Sequence, residues 1–182
     1  MVRIIAAAIA MTLCAINAYA FDLTSPDIAE GRTLHKAQVY KGFGCSGGNL
    51  SPSLSWKNVP AGTRSLAVTV YDPDAPTGSG WWHWLVYDMP ASATSLPAGA
   101  IANKGLPVGA KQGRNDFGDR NFGGACPPVN DKPHHYVFTV HALKVERLDV
   151  PDNASAALIG FMLNANSLGK AQLTATYSRR GD

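Results

Sequence analysis

The chain has 182 residues and a formal net charge of +3, with 46% hydrophobic and 16% charged residues. That length supports one core of ordinary size. The absence of a basic run argues against nucleic acid as a partner. No apolar stretch after the N-terminal segment is long enough to span a bilayer, so an integral membrane protein is not expected.

The chain begins with a targeting pattern: Arg3, an apolar run over residues 4–16, then Ala18-Tyr19-Ala20 as a small-x-small cleavage site. The run is short for a membrane span. Leu13 before Cys14 does not suit a lipid anchor. Residues 1–20 are therefore read as a removed signal peptide, and residues 21–182 as a single domain. Two cysteines remain after cleavage, Cys45 and Cys126. Export places them in an oxidising space, where a bridge between them is the simplest expectation. It would close a loop of about 80 residues, worth roughly 4 kcal/mol in the chain-entropy account.

Residues 65–71 are rich in β-formers and end at the turn signal Asp72-Pro73-Asp74. A second strand is expected from Trp82 to Met89, closed by Pro90. Residues 97–125 hold many glycines and few β-formers and read as a long loop. Residues 136–143 give the strongest strand signal. A helix is expected near 153–165, capped by Asp152 or Asn153, with Ala156, Ala157, Leu158, Ile159, Phe161 and Met162 on its apolar face. A last strand covers 172–177. The chain is therefore mainly β, with antiparallel sheets packed face to face.

Four short motifs carry polar chemistry. Asp72, fixed by prolines on either side of Asp74-Ala75, could accept a hydrogen bond from an imidazole. In Trp81-Trp82-His83-Trp84, period-two alternation places Trp81 with His83 on one face and Trp82 with Trp84 on the other. The same rule pairs His134 with Tyr136 and turns His135 away. An imidazole and a phenol so placed suit a phosphate or carboxylate oxygen. Gly123-Gly124 allows close backbone approach, and Pro127-Pro128 stiffens the loop after it. No nucleophile accompanies these groups. Gly44-Cys45-Ser46-Gly47-Gly48 has the look of a serine-protease motif, but its setting lacks the base and acid. Asp116-Phe117-Gly118 stands without the other kinase motifs. A zinc site from Asp72, His83 and His134 is a physical alternative.

In this order, the motifs resemble the phosphatidylethanolamine-binding protein family. Residues 45–56, Gly78-Ser79-Gly80-Trp81-Trp82-His83-Trp84 and residues 113–118 resemble its bacterial Raf-kinase-inhibitor-like branch of the YbhB/YbcL type. The resemblance covers nearly all of the chain after the signal and implies a two-sheet antiparallel β fold with a few short peripheral helices. It also implies a small anion pocket. Asp72 and His83 would stand on one side, His134 and Tyr136 on the other, with Pro128 at the rim and Trp81 as an aromatic wall. Cys-Pro-Pro here replaces the Gly-Pro-Pro of eukaryotic members. The resulting expectation is a periplasmic, non-enzymatic monomer or homodimer that binds a small anion or phosphorylated headgroup without cofactor or metal. His83 and His134, at least partly protonated, would be charge-assisted donors, with Tyr136 donating its hydroxyl and Asp72 orienting His83. A protein-interaction or inhibitor role and a metal-assisted phosphoester hydrolase are the alternatives.

Overall fold

The computed structural model describes residues 20–101 and 104–181. The expected signal peptide lies outside the described residues except for Ala20. Among the described residues ten strands occur in chain order: β1 (Asp22–Thr24), β2 (Lys41–Gly42), β3 (Cys45–Ser46), β4 (Leu54–Lys57), β5 (Ser65–Asp72), β6 (Trp81–Pro90), β7 (Ser95–Leu96), β8 (Lys111–Gln112), β9 (His134–Leu143) and β10 (Ser167–Tyr177). Helix α1 (Ala156–Ala165) lies between the last two.

The main sheet has the order β10-β9-β5-β6-β8, and a smaller one has the order β1-β4-β7. All the ladders are antiparallel. β5 holds the centre because its residues are apolar on both faces. Leu66, Val68 and Val70 join Leu54, Trp56, Trp84, Phe138 and Val140 in the core between the two sheets. Ala67 on the opposite face packs with Leu85, Tyr87, Leu143, Ile159 and Leu163 beneath α1. A strand covered on both sides reads as a continuous apolar run, which is the pattern of residues 65–71.

Three differences from the sequence expectation have local causes. Helix α1 starts later than its candidate caps, because residues 151–154 close a turn through Ala154 N–H to the Pro151 carbonyl at 2.9 Å. Ser155 is the cap instead, accepting from Leu158 N–H at 3.2 Å. Within the 97–125 loop, β8 adds an edge strand to β6, where Gln112 Oε1 accepts from the Trp84 indole at 2.7 Å. The third concerns the tryptophans. The β5–β6 register pairs Val70 with Trp84 but Tyr71 with Trp82, leaving His83 as the extra residue of a bulge. Trp82 and Trp84 therefore do not share a face. Trp84 enters the inter-sheet core and Trp82 packs on the helix side.

Cys45 and Cys126 form the expected disulfide. It ties the β2–β3 ribbon to the loop that precedes β9. Replacing both cysteines with serine should lower the unfolding free energy by about 4 kcal/mol, the loop-closure value for a separation near 80 residues. Urea denaturation of the oxidised wild type against the double variant measures this. An unchanged midpoint would contradict it.

Candidate functional site

The cavity of interest opens where β5, β6 and β9 begin or end. It encloses about 230 Å³ and is lined by Asp72, Trp81, His83, Pro128, His134 and Tyr136, with Phe43, residues 75–77, Phe117, Cys126, Pro127 and Arg179 completing its wall. All six residues singled out in the sequence thus surround one space. Asp72 ends β5, Trp81 and His83 begin β6, and His134 and Tyr136 begin β9. The bulge at His83 keeps its ring on the Trp81 side despite the reversed tryptophan. His135 lies outside, exposed, with Nδ1 held by Asp74 Oδ2 at 2.7 Å.

The hydrogen bonds differ from the expected arrangement. Asp72 does not orient His83. Its Oδ2 accepts from His134 Nδ1 at 2.7 Å, and both side chains are buried. Its Oδ1 accepts from the Asp74 and Ala75 amides at 2.8 and 3.1 Å. The other His134 nitrogen, Nε2, donates to Asp131 Oδ2 at 3.2 Å. Burial alone would disfavour a charged His134 ring, but the flanking Asp72 and Asp131 carboxylates outweigh it and raise its pKa. The two carboxylates favour the imidazolium form of His134, and both ring nitrogens are engaged by them, so neither is free for a ligand.

His83 is the opposite case. The Gly123 carbonyl, which can only accept, lies 2.8 Å from His83 Nδ1, so Nδ1 carries the hydrogen. Gly123 N–H in turn donates to the His83 carbonyl at 2.9 Å. Burial pushes the His83 pKa down to about 4, against weaker support for the charged form from Gly123 and Asp72. At neutral pH the ring is therefore uncharged, and Nε2 is a bare acceptor. The sequence expectation of a protonated His83 donor does not hold.

Three buried polar atoms of cavity residues have no hydrogen-bond partner: Trp81 Nε1, His83 Nε2 and Tyr136 Oη. Buried polar groups are normally paired, so such a cluster needs an explanation. The other indoles that bond do so inside the protein, Trp56 to the Ala93 carbonyl and Trp84 to Gln112, both at 2.7 Å. Burial, followed by the nearby Asp72 charge, raises the Tyr136 pKa, so its phenol stays protonated and can donate.

The site is held largely by residues of the 45–56 and 113–118 segments and of the Gly123-Gly124 motif. Asn49 Oδ1 accepts from Gly124 N–H at 2.7 Å, and its amide donates to the Phe122 carbonyl at 3.1 Å. Asn115 donates to the carbonyls of His83 and Asn121. A Cβ on Gly124 would lie 2.3 Å from the Gln38 carbonyl oxygen, so only glycine fits there. Phe117 packs edge-on against both Trp81 and His83, at centroid distances of 5.2 and 5.4 Å. In the sequence its triplet was placed only within the 113–118 segment of the family resemblance, as a loop beside the pocket mouth. Sequence reasoning also missed Arg179, whose Nε donates to the Pro127 carbonyl at 2.8 Å. Nothing in the short Ser178-Arg179-Arg180 tail signals a role in the cavity. Phe43, 70% exposed at the mouth, was likewise not singled out.

A two-sheet β protein with a small, polar-tipped cavity at its strand ends is the class these features define. Comparison with known proteins gives the family. Residues 24–178 match the profile of the phosphatidylethanolamine-binding protein family, and the chain belongs to it. It is 56% identical over 176 residues to the UPF0098 protein YbcL of Escherichia coli K12, covering 96% of each chain. It is 48% identical over 157 residues to YbhB of the same organism, covering 86% of this chain and 99% of the relative. The crystal structure of E. coli YbcL, described as a new member of the mammalian PEBP family, superposes with a TM-score of 0.85 at 57% identity, covering 88% of this chain and 99% of that one.

The histidines make stability depend on pH in a defined direction. His83 and His141 are pushed down by burial, to about 4 and about 3, below the ordinary 6.5 of the unfolded chain. Between these limits the unfolded chain binds protons that the folded state refuses, so stability falls as pH falls. His134, raised by its carboxylates, contributes stability that is fully present below pH 6.5 and lost as pH rises through its raised value. Unfolding free energy from urea titrations should therefore drop by about 2–3 kcal/mol between pH 6.5 and 5. A flat profile over that interval would contradict neutral, buried His83 and His141.

Proposed function

We propose that this protein binds, without transforming, a small oxyanion or phosphorylated headgroup in the cavity, and that it does so in the periplasm after removal of residues 1–20. The observation that carries this reading is the trio of unpaired buried polar atoms, Trp81 Nε1, His83 Nε2 and Tyr136 Oη, on residues lining one cavity. A ligand with several oxygens around one centre would pair all three. Arg179 on the same wall adds positive charge, and Phe43, Phe117, Pro127 and Pro128 supply apolar surface for the remainder of a headgroup. The family name, which refers to phosphatidylethanolamine, agrees with a phosphorylated ligand.

A binding role is favoured over hydrolysis by the chemistry of the lining. No serine or free thiol lines the cavity, since Cys126 is in the disulfide. Both His134 nitrogens face carboxylates, which leaves that ring no lone pair for zinc. The rival reading, a docking site for a protein partner, draws on the exposed Phe43 and on Val129, 48% exposed next to Pro128. Val129→Ser would weaken such a partner while leaving phosphate binding in place.

Two conservative variants test the pocket reading. Tyr136→Phe and Trp81→Phe each remove one unpaired donor. Each should weaken inorganic phosphate binding by about tenfold, the worth of one hydrogen bond to a charged group. Tyr136→Phe should leave the free protein's melting temperature little changed, because the hydroxyl it removes has no hydrogen-bond partner there. Calorimetry and thermal melts measure the two effects together. Unchanged affinity in both variants would refute the pocket reading.

A further inference from the structure

The donor and acceptor pattern of the cavity is unusual for an anion site. Trp81 Nε1–H can only donate, and the Tyr136 hydroxyl is protonated and can donate. His83 Nε2 presents a lone pair, because the Gly123 carbonyl holds the ring hydrogen on Nδ1 at 2.8 Å. An oxyanion without hydrogens would set its own lone pairs against that nitrogen. An oxyanion bearing one hydrogen would donate it to Nε2 and accept from Trp81 and Tyr136 with its other oxygens.

We propose that the cavity selects oxyanions that carry a hydrogen of their own, such as inorganic phosphate or a phosphate monoester in its monoprotonated form, over sulfate and fully ionised esters, and that His83 Nε2 is the selecting atom. This rests on the oxyanion-binding reading above.

The groups facing His83 do not undo this pattern. Asp72 approaches from β5, His134 and Tyr136 from β9, and Phe117, Gly123 and Gly124 from the loop before Cys126. The charged members are Asp72 and His134, bonded to each other at 2.7 Å, so their effects on His83 oppose one another. Burial then decides, and it favours the neutral ring. The phenol of Tyr136 packs edge-on to the imidazole at a centroid distance of 5.1 Å and carries no charge. Asp72 is a less available acceptor than His83 Nε2, because Oδ1 already takes two amides and Oδ2 takes His134, whereas Nε2 has no partner.

The test compares three probes on the wild-type protein by calorimetry at pH 5.5 and 8. Inorganic phosphate keeps at least one hydrogen at both values. Sulfate carries none at either. Methyl phosphate carries one at pH 5.5 and loses it with a pKa of about 6. At pH 8 all three are predominantly dianions, so charge does not separate them. Phosphate should then bind at least about tenfold more tightly than sulfate and methyl phosphate, as expected when one buried partner is left unpaired. Methyl phosphate should regain its affinity at pH 5.5, whereas sulfate should not. Equal binding of the three probes at pH 8 would overturn the inference and leave the oxyanion reading standing. Failure of every probe at both values would overturn the reading, and the inference with it. His83→Phe, which removes the acceptor without supplying another, should bring sulfate close to phosphate. Discrimination that survives in that variant would overturn the assignment to His83.

Discussion

The buried pair between Asp72 and His134 is the contact on which the site depends. It joins the end of β5 to the start of β9, and it compensates two charges that could not otherwise be buried. Asp72 also takes the amides of the adjoining turn, so the turn, the strand end and the histidine are set together. The consequence for chemistry is subtractive. Once Asp72, His134 and Asp131 have satisfied one another, the strongest charges near the cavity are spent internally. Apart from Arg179 on the wall, the groups left for a ligand are weaker and neutral: an indole, a phenol and an uncharged imidazole.

That uncharged imidazole depends on a second constraint, the close approach of the 123–124 backbone. Gly123 pairs with His83 through both its N–H and its carbonyl. The approach is possible because Gly124 has no side chain to meet the Gln38 backbone, and it is held by Asn49 from the opposite direction. The Cys45–Cys126 bridge then anchors the next two residues, and Pro127 and Pro128 form the rim. The glycine-rich segments near 47 and 124 are therefore structural partners, packed on the 36–40 segment from two sides. They position the histidine tautomer rather than touching a ligand themselves.

Much of this was legible in the sequence. The β class, a helix near 153–165 and the disulfide derive from periodicity and cysteine number, and the gathering of Asp72, Trp81, His83, Pro128, His134 and Tyr136 from the family resemblance that the motifs carry. The failures come from features that periodicity does not encode. A one-residue bulge at His83 reversed the relation of Trp82 to Trp84 without changing the composition of the strand. The partner of Asp72 was assigned to the wrong histidine because strand parity says which residues share a side, but not which of two imidazoles is nearer. Protonation states depended on that choice. With Asp72 spent on His134, His83 was left to burial and became an acceptor. Arg179 and Phe43 reached the cavity through tertiary packing alone.

The chemistry of the cavity therefore turns on one nitrogen. His83 is a neutral ring with its hydrogen on Nδ1, and its Nε2 is left as the acceptor. The ring-nitrogen chemical shifts of His83, measured by 15N NMR on the ligand-free protein at pH 7, test this directly. They should show a protonated Nδ1 and an unprotonated Nε2, with the Nε2 signal moving when inorganic phosphate is added. A signal showing hydrogen on Nε2 in the free protein would contradict it.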